Sequence, residues 1–400
     1  MNNVLQQPSQ RVVSIDIVRG LTLFLMLFVN DLYMPGVPAW MGHMAADTDG
    51  MGLADWVFPS FLFMVGMSVP YAIAARYRRG DNAWRILLHI LWRTFSLILI
   101  GVSLLNASRL NPEMTGMSSG TWSMLFYLFL FLFWNSYPRN SRYGVLFKTL
   151  RAVGGIGIAL LLAIFRAGTP EDPSWLVPSW WGILGLIGWG YLAAAVISLV
   201  TRGRLWGAVA GWLFFLILNI LSSLGLMHFA DCLQPVIGTL IQGNTPMIVL
   251  AGMTLGTFIK ESSADNRRKT LIILAAGVVS LALGFFLRQW FIISKIYATP
   301  SWGLICNGIS MILLSLVFWR TDVCGKTRGT SLLTAAGRNS MTTYIAPSVV
   351  YHLIWMCPFH ILFYKQPDSA ALAIIGSLAW SFVMVLMAMG LERLHIKLKL

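Results

Sequence analysis

Residues 11–70 read RVVSIDIVRGLTLFLMLFVNDLYMPGVPAWMGHMAADTDGMGLADWVFPSFLFMVGMSVP. This stretch holds two apolar spans, 17–33 and 53–75, joined by a loop that contains no Lys or Arg. The loop and its edges instead carry six polar or acidic side chains: Asn30, Asp31, His43, Asp47, Asp49 and Asp55. Ionisable residues gathered at one membrane face of a charge-poor protein usually serve a function. The sequence therefore places a candidate site at this loop.

The composition of the chain is that of an integral membrane protein. Its 400 residues are 57% hydrophobic and only 11% charged, with a mean hydropathy of +0.72, whereas soluble chains contain about 25% charged residues. Apolar runs long enough to cross a bilayer, about 20 residues or slightly fewer, occur near 17–33, 53–75, 86–105, 121–135, 152–166, 182–200, 206–226, 244–259, 270–287, 301–319, 340–363 and 370–391. This pattern predicts an all-α, polytopic helical bundle with about twelve transmembrane helices.

The basic side chains are distributed unevenly between the loops. Of the 29 Lys and Arg residues, 23 fall in one set of alternate segments and five in the other, and Arg93 lies inside a span. Loops rich in Lys and Arg stay in the cytoplasm, so we expect both termini and the 76–85 loop to be cytoplasmic and residues 36–52 to lie outside. The net charge of +14 then reflects topology and does not indicate a surface for nucleic acid.

Several charged residues allow a structural and a functional interpretation. Asp16 and Arg19 stand three residues apart, so they either form an ion pair at a helix start or bring Arg19 to an anionic ligand. Asp55 either caps the second span or acts in the site. Arg93 lies about 12 Å inside the cytoplasmic boundary at 1.5 Å per residue, where it either snorkels to the surface or binds a phosphate.

Asn30 and Asp31 lie at the outer end of the first span. The helix dipole disfavours a carboxylate at this end, so Asp31 either has a function or reaches solvent. Asn30 is suited to hydrogen-bond a sugar or an acyl carbonyl, and equally to bond a neighbouring helix.

Four pieces of the opening stretch form a recognisable set. They are Ser14-Ile15-Asp16 with Arg19-Gly20, then Phe28-Val29-Asn30, then His43, then Ala54-Asp55-Trp56-Val57-Phe58-Pro59. In this order and spacing they resemble the heparan-alpha-glucosaminide N-acetyltransferase family and its bacterial relatives. Further on, Arg93-Thr94 and Gly337-Arg338-Asn339-Ser340 with Tyr344 are similar to later family motifs.

The resemblance is interrupted at four places. After His43 the chain reads AADTDGMGLAD, where family members often have H-x-x-W-x-G-x-x-x-x-D, so the acceptor stays open. Residues 109–170 form an addition, Leu186-Ile187 stand near a Gln-Arg region of the family, and Ala346-Pro347 replace Gly-His. We interpret residues 1–400 as one transmembrane acyltransferase domain, with a core motif region (11–106), an added helical hairpin (109–170) and the remaining bundle (180–400).

The resemblance implies a transmembrane acetyltransferase. Such an enzyme would move an acetyl group from cytoplasmic acetyl-CoA to an amino sugar or glycan acceptor on the outer face. It also implies a homodimer in a bacterial inner membrane. We expect no metal, because the four cysteines lack paired spacing.

His43 is the predicted catalyst, because a free imidazole has a pKa of about 6.5 and accepts a proton at neutral pH. It would serve as a general base or as a transient acyl carrier. We expect Asp47, Asp49 or Asp55 to orient its ring, and we expect no basic side chain beside it. The predicted catalytic residues are His43, Asn30, Asp55 and Asp31, and the predicted donor-binding residues are Arg19, Asp16, Arg93, Asn339 and Ser340.

A sugar transporter of the N-acetylglucosamine type is the alternative. Twelve spans with cytoplasmic termini and buried polar residues suit a carrier equally well. However, the two halves of the sequence share no internal repeat, and the polar residues cluster at one face instead of the midplane. A purely structural membrane protein would leave Asp31 and Arg93 without explanation.

Overall fold

The computed structural model describes residues 12–138, 142–355 and 361–400. The described chain is almost entirely helical, with one antiparallel pair of two-residue strands, β1 (Ala167–Gly168) and β2 (Pro173–Ser174). Its helices are α1 (Val13–Asp31), α2 (Leu53–Arg78), α3 (Ala83–Asn106), α4 (Pro112–Thr115), α5 (Ser119–Trp134), α6 (Gly144–Ile164), α7 (Gly182–Val200), α8 (Leu205–Ser223), α9 (Gln234–Gln242), α10 (Asn244–Glu261), α11 (Asn266–Leu287), α12 (Pro300–Phe318), α13 (Ser331–Arg338), α14 (Ser340–Trp355) and α15 (Ala370–Arg393).

The predicted multi-pass helical architecture is confirmed. Within the described ranges, ten helices are long and apolar enough to cross a membrane, and each predicted span overlaps a helix. Helices α5 and α14 have only 16 residues each, so the number twelve stays a prediction, as do the cytoplasmic termini. Parts of the predicted span 340–363 (residues 356–360), the first residue of the motif region (Arg11) and Arg139 lie outside the described residues.

Helices differ sharply in how much of their surface is covered. In α2 and in the α12 segment, 72% of the apolar window is buried, whereas the figure is 22% for α6 and 28% for α8 and α11. A helix that is apolar all round but exposed on most faces is suited to lipid. The centre of the bundle is therefore built around α2 and α12, with α1, α7 and α10 packed beside them.

Glycines allow the central helices to approach closely. A Cβ at Gly66 of α2 would lie 1.8 Å from the Val249 carbonyl oxygen of α10, and one at Gly20 of α1 would lie 1.8 Å from the Leu333 carbonyl oxygen of α13. Small residues at helix contacts are the usual means of close packing in membranes. The second contact matters for the site, because it brings the Arg19 region against the end of α13.

Candidate functional site

Two ends of the bundle carry polar side chains. We call the end where α1 finishes and α2 begins the His43 end, and the opposite end, where α1 begins and α2 finishes, the arginine end. A separate cavity opens at each end.

At the His43 end, Asp55 occupies the first turn of α2 and uses both of its carboxylate oxygens. One oxygen accepts hydrogen bonds from the backbone N–H groups of Gly52 (2.9 Å) and Met44 (3.1 Å). The other lies 2.7 Å from Nδ1 of His43. The side chain is only 2% exposed. Asp55 therefore caps the helix and holds the histidine as well, so the two interpretations of this residue are compatible.

His43 is held in one orientation by this contact. Because an ionised carboxylate only accepts hydrogen bonds, Nδ1 carries the proton and donates it to Asp55, which leaves the lone pair of Nε2 available. The side chain is 55% exposed and lines the cavity at this end. A histidine oriented by a buried carboxylate, with an unprotonated second nitrogen, has the arrangement of a general base.

The expectation that no basic side chain lies beside His43 is wrong. Lys295, in the loop between α11 and α12, places Nζ 3.0 Å from Nδ1 and 3.4 Å from Nε2 of the ring, and 3.8 Å from the Asp55 carboxylate. Burial lowers the pKa of Lys295, and the charge of Asp55 opposes part of that shift. Sequence reasoning missed Lys295 because it stands 252 positions from His43.

Asp49 joins the two loops that carry His43 and Lys295. Its carboxylate accepts hydrogen bonds from the backbone N–H of Ile293 and from Nε of Arg288, both at 2.8 Å. The Ser294 hydroxyl donates to the Ala46 carbonyl at 2.7 Å. The Ile293 hydrogen bond, followed by that of Arg288, lowers the pKa of Asp49. Asp49 is thus bonded within a clamp between loops, and of the three candidate carboxylates it is Asp55 that holds the His43 ring.

The cavity at the His43 end has a volume of about 490 Å³. Asn30, His43 and Lys295 line it together with Trp302. The structure therefore brings the predicted residues Asn30, His43 and Asp55 together.

Asp31 lies elsewhere. Its buried carboxylate accepts a hydrogen bond from the Tyr364 hydroxyl and pairs with Nζ of Lys365, each at 2.9 Å. The predicted catalytic role of Asp31 gains no support from these contacts, which join it to the segment before α15.

At the arginine end, a cavity of about 330 Å³ is lined by four basic side chains. These are Arg19, Arg93, Arg338 and Lys399, and none of the described side chains that line the cavity is acidic. Such a concentration of cations within one pocket attracts an anion.

The predicted donor-binding residues lie at this cavity. Arg19, Arg93, Asn339 and Ser340 all line it. Asp16 does not line it but stands 3.5 Å from Arg19 and 3.9 Å from Arg338, so it supports the arginines from the side. The proximity of α13 to α1 explains why positions more than 300 residues apart meet here.

Arg19 and Arg93 are held differently. Arg19 donates to the Ser68 hydroxyl and, at 3.4 Å, to the Gly337 carbonyl. The Arg93 guanidinium stacks 4.6 Å above the ring of Tyr191. Its buried Nε has no hydrogen-bond partner in the described part of the chain, and a buried donor without a partner is costly. Arg93 therefore lines the pocket, and phosphate binding by its guanidinium stays a prediction.

Arg338 and Lys399 are the basic residues that sequence reasoning missed. Arg338 belongs to the quoted motif Gly337-Arg338-Asn339-Ser340, which is the one signal that pointed to it. From the sequence, Lys399 was interpreted only as one of the basic residues that indicate the membrane topology. Its backbone N–H donates to the Trp134 carbonyl at 3.0 Å, which holds that segment at the pocket.

The two cavities meet at Met26, a buried residue of α1 that lines both. Neighbouring turns of α2 and α7 also line both, since Phe61 and Leu184 face one cavity while Leu62 and Ile183 face the other. Along α1 the distance from Arg19 to Asn30 is about 16 Å, taking 1.5 Å per residue. The protein thus holds a cationic pocket and a histidine–aspartate pair at opposite ends of the bundle, with cavities that share the apolar side chain of Met26.

Comparison with known proteins gives two kinds of match. The profile of a domain of unknown function, DUF5009, matches residues 11–237. Heparan-alpha-glucosaminide N-acetyltransferase of Homo sapiens is 40% identical over 96 residues, which are 24% of this chain and 14% of that protein. The protein of the same name in Mus musculus is 37% identical over 101 residues, 25% of this chain and 15% of that protein. The matched segments span about one seventh of these relatives, and the resemblance predicted from the motifs is confirmed.

Proposed function

This chain belongs to the DUF5009 family, and from that membership, its acetyltransferase relatives and its two cavities we propose that it is a transmembrane acetyltransferase. The acetyl group would come from acetyl-CoA bound at the arginine end. It would pass to an amino sugar or glycan acceptor at the His43 end. The observation that carries this proposal is the meeting of the two cavities at Met26.

The donor is proposed to bind with its phosphates among Arg19, Arg93, Arg338 and Lys399. Guanidinium groups bind phosphate oxygens through charge-assisted hydrogen bonds, and the unpartnered Nε of Arg93 offers one such donor. The 23-to-5 division of basic residues favours a cytoplasmic location for this end, where acetyl-CoA would be available. The narrow pantetheine arm fits an apolar path, and it would carry the thioester past Met26 toward His43.

The chemistry at the other end is proposed to depend on His43. Its Nε2 would remove the proton from the acceptor amine or hydroxyl, or would itself carry the acetyl group between donor and acceptor. The Asp55 carboxylate, 2.7 Å from Nδ1, would keep Nε2 unprotonated and stabilise the imidazolium that forms. Asn30 in the same cavity would hydrogen-bond the acceptor or the acyl carbonyl. No step requires a metal.

Two further parts of the proposal come from the resemblance alone. They are a location in a bacterial inner membrane and a homodimeric assembly. Both follow the family pattern that the motifs of residues 11–70 suggest.

A sugar transporter is the second candidate, because cavities at opposite ends of a bundle also suit a carrier. An acetyltransferase explains more of the site. A carrier for a neutral sugar has no need of four cations around one cavity, nor of a histidine whose tautomer is set by a buried carboxylate.

The donor pocket is tested by equilibrium binding of acetyl-CoA to the purified protein. Arg93→Ala removes a charge-assisted hydrogen bond worth about 1.5–3 kcal/mol, so the affinity should fall about 10- to 100-fold. Arg85→Ala, an exposed arginine of the same helix, serves as the matched control and should bind normally. Unchanged affinity in a folded Arg93→Ala protein would contradict the proposed donor site.

A further inference from the structure

The ammonium of Lys295 occupies an unusual position for a counter-ion. Its Nζ lies closer to the two ring nitrogens of His43, at 3.0 and 3.4 Å, than to the Asp55 carboxylate, at 3.8 Å. Asp55 already receives hydrogen bonds from His43 and from the backbone N–H groups of Gly52 and Met44. The carboxylate is therefore satisfied without Lys295.

The only acceptor that His43 leaves for Lys295 is Nε2. Nζ lies 3.0 Å from Nδ1 and 3.4 Å from Nε2, and because Nδ1 donates its proton to Asp55, the ring nitrogen with a lone pair for the ammonium is Nε2. A cation held against the basic nitrogen competes with the proton that a general base must accept. Acetyl transfer becomes possible when the arriving substrate brings an oxygen that accepts the ammonium's hydrogen bond more strongly than Nε2 does.

We propose that Lys295 is a further catalytic residue, whose ammonium stabilises the negative charge that develops on the carbonyl oxygen of the acetyl thioester. This inference rests on the proposed acetyltransferase function. The acceptor nitrogen attacks the thioester carbon, a C–N bond forms, and the π electron pair moves onto the oxygen beside Lys295. Collapse restores the C=O bond and breaks the C–S bond. The proton that His43 Nε2 takes from the amine passes to the departing thiolate, which gives an amide and free CoA.

The same oxygen carries the charge if His43 Nε2 is the nucleophile instead, so the role of Lys295 does not depend on that choice. Hydrogen-bond donors fixed in advance at such an oxygen contribute strongly to acyl transfer. Lys295 is fixed in advance because its neighbours Ile293 and Ser294 are bonded to the His43 loop through Asp49 and Ala46.

Substitution of Lys295 gives a direct test in purified enzyme with acetyl-CoA and glucosamine. Lys295→Met removes the charge at similar size, and kcat should fall about 10²–10³-fold while the affinity for acetyl-CoA stays unchanged. Arg166→Met removes a cation at the same end whose guanidinium donates to the backbone carbonyls of Ala163 and Phe165, and it should retain full activity.

The pH profile separates a catalytic ammonium from a structural one. The titratable groups facing Lys295 are His43 from the loop, Asp55 from α2 and Cys306 from α12. Since burial lowers the pKa of Lys295, activity should fall on the alkaline side as the ammonium loses its proton. Lys295→Arg should be active and should move this alkaline limb to higher pH, because a guanidinium has a pKa above about 12.

Each result of these experiments either supports or contradicts the proposed role of Lys295. If the wild-type protein transfers no acetyl group, the proposed function fails and this inference fails with it. If the wild-type protein is active and Lys295→Met transfers within about twofold of it, only the inference fails. Should Lys295→Met not fold, the alkaline limb of Lys295→Arg decides, because an unchanged limb would overturn the proposed role.

Discussion

At the scale of single residues, the proposed chemistry depends on the pair formed by His43 and Asp55. The carboxylate is buried while the imidazole is 55% exposed and lines the cavity, and the contact with Asp55 fixes the proton on Nδ1. Asp55 also bonds two backbone N–H groups. The orientation of the imidazole ring is therefore tied to the start of α2.

His43→Ala should abolish acetyl transfer, with a loss of about 10²–10⁴-fold or more, as expected for a general base. Binding of acetyl-CoA should survive, because the proposed donor contacts lie at the other end of the bundle. Transfer of labelled acetyl to glucosamine by the purified protein measures the first effect, and equilibrium binding measures the second. Asp47→Ala, an exposed carboxylate of the same loop, is the control. A His43→Ala protein that transfers at the wild-type rate would remove His43 from the chemistry.

The residues that sequence could predict are those within recognisable motifs. His43, Asn30 and Asp55 lie in one stretch of 60 residues, and the structure brings them together. Arg19, Arg93, Asn339 and Ser340 likewise line one cavity. Lys295 and Lys399 were not predicted as site residues, because their positions follow from the packing of distant loops. Asp31 is polar and adjacent to Asn30, yet the helix turns it toward Tyr364 and Lys365.

At the scale of elements, the clamp between two loops determines whether Lys295 reaches His43. Asp49 of the first loop accepts hydrogen bonds from Arg288 and Ile293 of the second. The Gly50 N–H donates to the Ile293 carbonyl at 3.0 Å. The helices were predictable because each one is a continuous apolar run in the sequence. The pairing of these two loops joins residues 244 positions apart, and no pattern within either loop predicts it.

Asp49→Ala should loosen the clamp. Amide hydrogen exchange at Ile293 and Gly50 should rise about 2- to 5-fold, the range for a partly exposed ion pair of up to about 1 kcal/mol, while exchange within α2 stays unchanged. Asp47→Ala provides the comparison. Unaltered exchange at both amides in Asp49→Ala would show that other contacts hold the loops.

The clamp should also respond to acid. The pKa of Asp49 is lowered in the folded protein, so its contribution is fully present above the ordinary aspartate pKa of about 3.9. It is lost as the pH falls through the lowered value. The protection of the Ile293 amide, measured against its intrinsic exchange rate at each pH, should therefore fall only below about pH 4 and stay constant between pH 5 and pH 8.

At the scale of the whole molecule, one bundle holds two sites of opposite character. Four basic side chains line the cavity at one end, and a histidine–aspartate pair borders the cavity at the other. The buried side chain of Met26 lines both cavities. The charge division between loops predicts that the first cavity faces the cytoplasm, so an acetyl group would cross the membrane while CoA stays inside.

The most direct test uses inside-out membrane vesicles that contain the protein, glucosamine in the lumen and labelled acetyl-CoA outside. We expect labelled N-acetylglucosamine to accumulate in the lumen and free CoA to appear outside, with neither in vesicles carrying His43→Ala. Product that forms only when donor and acceptor share one side of the membrane would contradict transmembrane transfer. Glucosamine that leaves the lumen unmodified, with no acetylated product, would identify a transporter instead.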